Sequence, residues 1–139
     1  MTGDGCLLDL TFNSCPNNLQ RVRGLVRERA AEAGCDPSLI QKLILVVDEA
    51  CANVMRHAYS GERSGSMRLR LLREGDRLVF KLRDYADPVD AECLKPRDLE
   101  ECRPGGLGLN FIDSVMDSWE FLPPEDGRGN LLRMTKKIQ

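Results

Sequence analysis

Glu49 and Asn53 stand four residues apart in the run Asp48-Glu49-Ala50-Cys51-Ala52-Asn53. On a helix that spacing puts both side chains on one face, and Leu45 and His57 continue the same row. A carboxylate beside a carboxamide can serve a metal ion and a proton transfer together. Mg²⁺ takes oxygen ligands and keeps several waters, so one Asn oxygen completed by phosphates is a workable shell. Glu49 could then orient or deprotonate an attacking hydroxyl. The plainer alternative is two polar residues on a solvated helix face.

A second segment is Gly105-Gly106-Leu107-Gly108, placed just before a helical pattern. Glycines let a backbone approach a phosphate, and a helix start offers free N–H groups and a positive dipole. An ordinary turn has the same composition. No Gly-Lys-Ser/Thr follows, so it is not a Walker loop. Nor does it follow the first strand, as a dinucleotide fingerprint would. A third candidate is Asp84, at the end of a strand pattern. Its carboxylate can accept a hydrogen bond from an exocyclic amine, or it can simply form a turn.

The elements that must position these residues are readable from periodicity. Asp36-Pro37 is a helix start, with Asp36 as N-cap. From there Ile40, Leu43, Ile44, Val47, Cys51, Val54 and Ala58 recur at helical spacing, on a different side from Glu49 and Asn53. Before it, Cys6 to Phe12 alternates, which predicts a strand with Cys6, Leu8, Leu10 and Phe12 on one face. Asn17 to Ala33 predicts a helix stopped by Gly34. Ser66–Arg73 and Arg77–Arg83 alternate around Glu74-Gly75-Asp76, a β-hairpin. The stretch from Asp84 to Pro104 has three prolines and little period, as a functional lid or a disordered segment would. A helix from about Leu107 to Ser118 and two closing strands, Trp119–Leu122 and Asn130–Lys136, complete the order. Paired strands outnumbering helices predict an α+β fold: a two-layer sandwich, with a mostly antiparallel mixed sheet and helices on one face.

The whole chain sets bounds on function. Its 139 residues suit one domain, taken as 1–139. A net charge of −2 and 5% aromatic residues argue against a nucleic-acid surface. Six cysteines stand without a C-x-x-C pair beside a single histidine, so reduced cysteines fit better than zinc or disulfides. No signal peptide or membrane-spanning run is evident, and a cytoplasmic location is expected.

Together the three segments resemble a family. Asp48-Glu49-Ala50-x-x-Asn53 with His57-Ala58-Tyr59 resembles the N box of the GHKL ATPases. Asp84-x-Ala86-x-Pro88 resembles their G1 box, with Ala86 in place of its first glycine. Arg103-Pro104-Gly105-Gly106-Leu107-Gly108-Leu109 resembles their G2 box. The most similar branch is the stand-alone anti-sigma-factor serine/threonine kinases, and the likeness runs from Leu8 to Lys137. It implies the Bergerat ATP-binding fold, with ATP and Mg²⁺ as cofactors. It implies Asn53 on the metal, Glu49 as catalytic base and Asp84 on the adenine amine. Ala86 and Pro88 would line the nucleotide, with Gly105, Gly106, Leu107 and Gly108 at the phosphates. Residues 89–103 would form an ATP lid, with Arg103 near a terminal phosphate. The implied partners are a sigma factor and its anti-anti-sigma antagonist, whose phosphorylation switches which is held. An interaction module without catalysis, binding the same partners, is the alternative, with Ala86 as its sign. The catalytic half of a histidine kinase is a third reading. The apolar first strand and helix also allow a homodimer.

Overall fold

The computed structural model describes residues 5–57, 65–85, 106–123 and 129–138. The elements run β1 (Gly5–Asn13), a 3-10 turn at Pro16–Asn18, α1 (Leu19–Glu32), α2 (Pro37–His57), β2 (Ser66–Glu74) and β3 (Arg77–Asp84). Then follow α3 (Gly106–Val115), β4 (Ser118–Leu122) and β5 (Asn130–Lys137). The fold is α+β, and the five described strands form one sheet in the order β1-β2-β3-β5-β4. All four pairings among the described strands are antiparallel, in keeping with the mostly antiparallel sheet expected.

Local chemistry explains the boundaries. Asp36 caps α2 as expected, its Oδ1 accepting the Leu39 N–H at 2.7 Å. Gly34 ends α1 at φ +96°, and the following N–H of Cys35 bonds back to the Ala30 carbonyl at 3.1 Å. Helix α1 starts at Leu19 rather than Asn17 because the chain first makes the 3-10 turn led by Pro16. Helix α3 stops at Val115 rather than Ser118, since the Asp117 N–H already bonds the Thr135 carbonyl of β5 at 2.9 Å.

One face of the sheet meets the helices. Leu8, Leu10 and Phe12 of β1 are buried there with Met67, Leu69 and Leu71 of β2, and with Leu78, Phe80 and Leu82 of β3. Val22, Val26 and Ala30 of α1, Ile112 of α3, and most of the expected α2 stripe close this core. Val46 and Ala50 are buried as well, because both α1 and α3 pack against α2 and cover more than one stripe of it. The expectation for Cys6 is overturned. Cys6 pairs with Leu72 but Leu8 pairs with Leu71, so Leu7 is an extra residue in β1. Such a bulge reverses the alternation beyond it, and Cys6 is exposed instead of facing the core.

Candidate functional site

Helix α2 presents two different sides. Its apolar stripe is buried, which turns the row of Leu45, Glu49 and Asn53 away from the core; Leu45 is 52% exposed. Glu49 is half-buried and makes no hydrogen bond or ion pair with any described residue. Its neighbour Asp48 points elsewhere and takes Arg23 of α1 at 2.8 Å, tying α2 to α1.

Asn53 is half-buried, and its two amide atoms are differently served. Oδ1 accepts from the Arg56 guanidinium. Nδ2 is buried and has no hydrogen-bond partner among the described residues. Exchanging the two would set an amine against a guanidinium, both donors, so Arg56 fixes the orientation. The oxygen is thus already an acceptor for a cationic group. That suits a metal ligand: Mg²⁺ needs one such oxygen here if phosphates supply others.

Asp84 lies at the other end of the arrangement. It closes β3 and is only 2% exposed. Strand register sets it opposite Asn130, the first residue of β5. Asn130 Nδ2 donates to both carboxylate oxygens, at 3.1 and 3.2 Å. A buried carboxylate needs such donors. Gly129 precedes at φ +77°, and a Cβ on it would sit 1.9 Å from the Asp84 carbonyl oxygen. From the sequence Asn130 is only the start of a closing strand, and neither it nor Gly129 is a candidate for the site. Asp84 lies 46 residues before Asn130, and no local pattern reveals that β5 inserts beside β3.

The third segment opens α3. Gly106, Leu107 and Gly108 form the first turn of this ten-residue helix, where backbone N–H groups lack intrahelical partners. Helix α2 packs against both β3 and α3, so the fold gathers the elements bearing Glu49, Asn53, Asp84 and the Gly106–Gly108 turn. Ala86, Pro88, Arg103, Gly105 and the expected lid at 89–103 lie outside the described residues, as does the His57 side chain. No helix of the described residues is long and apolar enough to cross a membrane.

Comparison with known proteins agrees with this architecture. Residues 12–136 match the model of the histidine kinase-like ATPase domain. The serine-protein kinase RsbW of Listeria monocytogenes is 33% identical over 117 residues, covering 78% of this chain and 73% of that protein. The serine-protein kinase RsbW of Bacillus subtilis is 32% identical, with coverage of 99% and 89%. Among solved structures, that of the RsbU and RsbW domains of Rv1364c from Mycobacterium tuberculosis superposes at a TM-score of 0.68 and 19% identity. It covers 94% of this chain, which spans 31% of the solved one. The SiaB-SiaC complex from Pseudomonas aeruginosa gives 0.66 at 17% identity, with coverage of 94% and 90%.

Proposed function

The chain belongs to the histidine kinase-like ATPase domain family, in its anti-sigma-factor kinase branch, and from that premise we propose that it is a protein serine/threonine kinase. It binds ATP with Mg²⁺ and phosphorylates a small antagonist protein in the cytoplasm. Phosphorylation decides whether antagonist or sigma factor is held, and transcription follows. The observation that carries this reading is the Glu49–Asn53 row. A carboxylate with no hydrogen bond or ion pair among the described residues lies one turn from a carboxamide whose oxygen accepts from a guanidinium.

In this reading Asn53 Oδ1, which now accepts from Arg56, would hold Mg²⁺. Bound Mg²⁺ offsets the negative charge of the phosphates. Asp84, steadied by Asn130, accepts from the adenine amine. The N–H groups of the first α3 turn hold the phosphates, with Gly105 and Arg103 alongside. Glu49 takes the proton as the acceptor hydroxyl oxygen bonds to the γ-phosphorus. The bond from that phosphorus to the β–γ bridging oxygen breaks, and ADP leaves. Such a transfer needs positioning and charge neutralisation more than many reactive groups.

Calorimetric titration with ATP·Mg²⁺ tests the site. The parent protein should bind, and Asn53→Ala should weaken Mg²⁺-dependent binding by roughly tenfold or more. Equal affinities would remove Asn53 from the metal. Absence of binding by the parent would favour the alternative, an interaction module; Ala86 in the place of a family glycine supports that second reading.

A further inference from the structure

The second face of the sheet carries a charge pattern that phosphoryl transfer does not use. The register places Asp9 opposite Arg70, Arg70 opposite Lys81, Lys81 opposite Arg133, and Arg133 opposite Glu120. One row therefore crosses all five described strands, reading acid, three cations, acid. In the next row Arg68 lies opposite Arg83. These residues alternate with the buried core residues of their strands, so they lie on the face turned away from the helices. No described helix covers it.

The carboxylates at the two edges are engaged. Both Asp9 oxygens take Arg68, at 2.8 and 2.6 Å, which holds the Asp9 carboxyl below its usual range. Glu120 takes Arg133 at 3.2 Å. Arg70 and Lys81, in the centre, make no hydrogen bond or ion pair with any described residue. Like charges directly opposite each other weaken a sheet. An anionic partner converts that repulsion into attraction and selects against other partners.

The dimensions narrow the choice. Strands spaced about 4.8 Å apart put the three central cations within roughly 10 Å across the sheet, and Arg68 and Arg70 lie about 7 Å apart along β2. The patch is compact and ends in acids. A nucleic-acid duplex or a plane of lipid headgroups is wider and would also lie over Asp9 and Glu120. A second copy of the chain, face to face, would set cations on cations. Carboxylates at i and i+4 on a helix are about 5–6 Å apart, close to the cross-strand spacing. We propose that the face of the sheet turned away from the described helices is a docking surface for an acidic helical segment of a protein partner, read by Arg70 and Lys81 with Arg68, Arg83 and Arg133 around them. It lies across the sheet from Glu49 and Asn53, so a partner held there leaves the helical side accessible. The surface stands whether or not that side transfers phosphate.

The test uses the full chain and a fluorescein-labelled helical peptide with glutamates at i, i+4 and i+8, followed by anisotropy at low and high salt. The parent should bind, more weakly as salt rises. Arg70→Gln with Lys81→Gln should lose roughly tenfold in affinity. Its melting temperature should hold or rise, because removing facing like charges relieves repulsion. Arg70→Glu with Lys81→Glu should bind the corresponding lysine peptide instead. No binding of the glutamate peptide by the parent would overturn the proposal, as would equal affinity in the glutamine variant. Tighter binding to duplex DNA or phosphatidylserine vesicles, lost in the same variant, would overturn it too. So would a parent dimer that the variant dissolves in sedimentation.

Discussion

Gly129→Ala should damage this protein far more than an ordinary glycine substitution. Two separable effects act at that position. Its φ of +77° lies in the left-handed region, where a side chain costs about 1 kcal/mol. Its missing Cβ would also meet the Asp84 carbonyl oxygen at 1.9 Å and the Tyr85 Cα at 3.0 Å. The obstacle is backbone in the sheet, not the end of a flexible side chain. Ordinary contact requires a retreat of about 1.5 Å, and backbone shifts forced by overpacking typically cost about 1–3 kcal/mol. A total near 3 kcal/mol follows. Gly75 supplies the control, with φ +65° and open space where its Cβ would go. Gly75→Ala should cost only the conformational part. At about 4 °C per kcal/mol for a chain of this size, the expected falls in melting temperature are about 12 °C and about 4 °C. Thermal denaturation followed by circular dichroism measures both. Because the displaced atoms belong to Asp84, ATP affinity should fall in Gly129→Ala and stay unchanged in Gly75→Ala. Equal losses of stability in the two variants would refute the close approach of Gly129 to Asp84.

Further outcomes follow from the same geometry. Glu49→Gln should bind ATP·Mg²⁺ like the parent yet transfer phosphate 10²–10⁴-fold more slowly, on the order expected for loss of a general base; a parental rate would exclude that role. Asp84→Asn should lose preference for ATP over GTP, because the amide presents a donor as well as an acceptor; competition binding with the two nucleotides would reveal unchanged selectivity if the assignment is wrong. Burial pushes the Cys51 thiol up to about 12, so at pH 8 it stays protonated and shielded. Mass-mapped alkylation of the native protein should label exposed Cys6 and Cys15 and spare Cys51; early labelling of Cys51 would contradict its place in the core.

Local periodicity carried much of the fold. The spacing of Ile40, Leu43, Ile44, Val47 and Cys51 was sufficient for α2 because burial against the sheet enforces it. The β2–β3 hairpin was legible because its register is set by the two residues Gly75 and Asp76. What escaped depends on partners distant in sequence. The bulge at Leu7 is a mismatch between β1 and β2, and only the pair defines it. Val46 and Ala50 are buried because two helices flank α2, a fact that no single helix encodes. Of the candidate site, the row of Glu49 and Asn53 followed from helix geometry alone. The donor to Asp84 did not, since Asn130 comes beside it through the order of strands. The cations of the outer face were each visible as polar positions of alternating strands; their alignment in one row required the register of all five.

Because β5 lies between β3 and β4, the five-stranded sheet cannot be completed until the last described strand is made. Strand β4 pairs with β5 alone among the described strands, and Asp84 receives Asn130 from the same strand. On a ribosome β1, β2 and β3 emerge first and can pair while β5 is still unmade. The carboxylate at the end of β3 receives the Asn130 amide only when the last described strand is made, across a separation of 46 residues. Closing a long loop costs entropy before any contact repays it. A nascent chain stalled short of Gly129 thus has its first three strands and the Glu49–Asn53 helix but lacks the Asn130 contact to Asp84, and the proposed nucleotide site would be complete only once β5 is made.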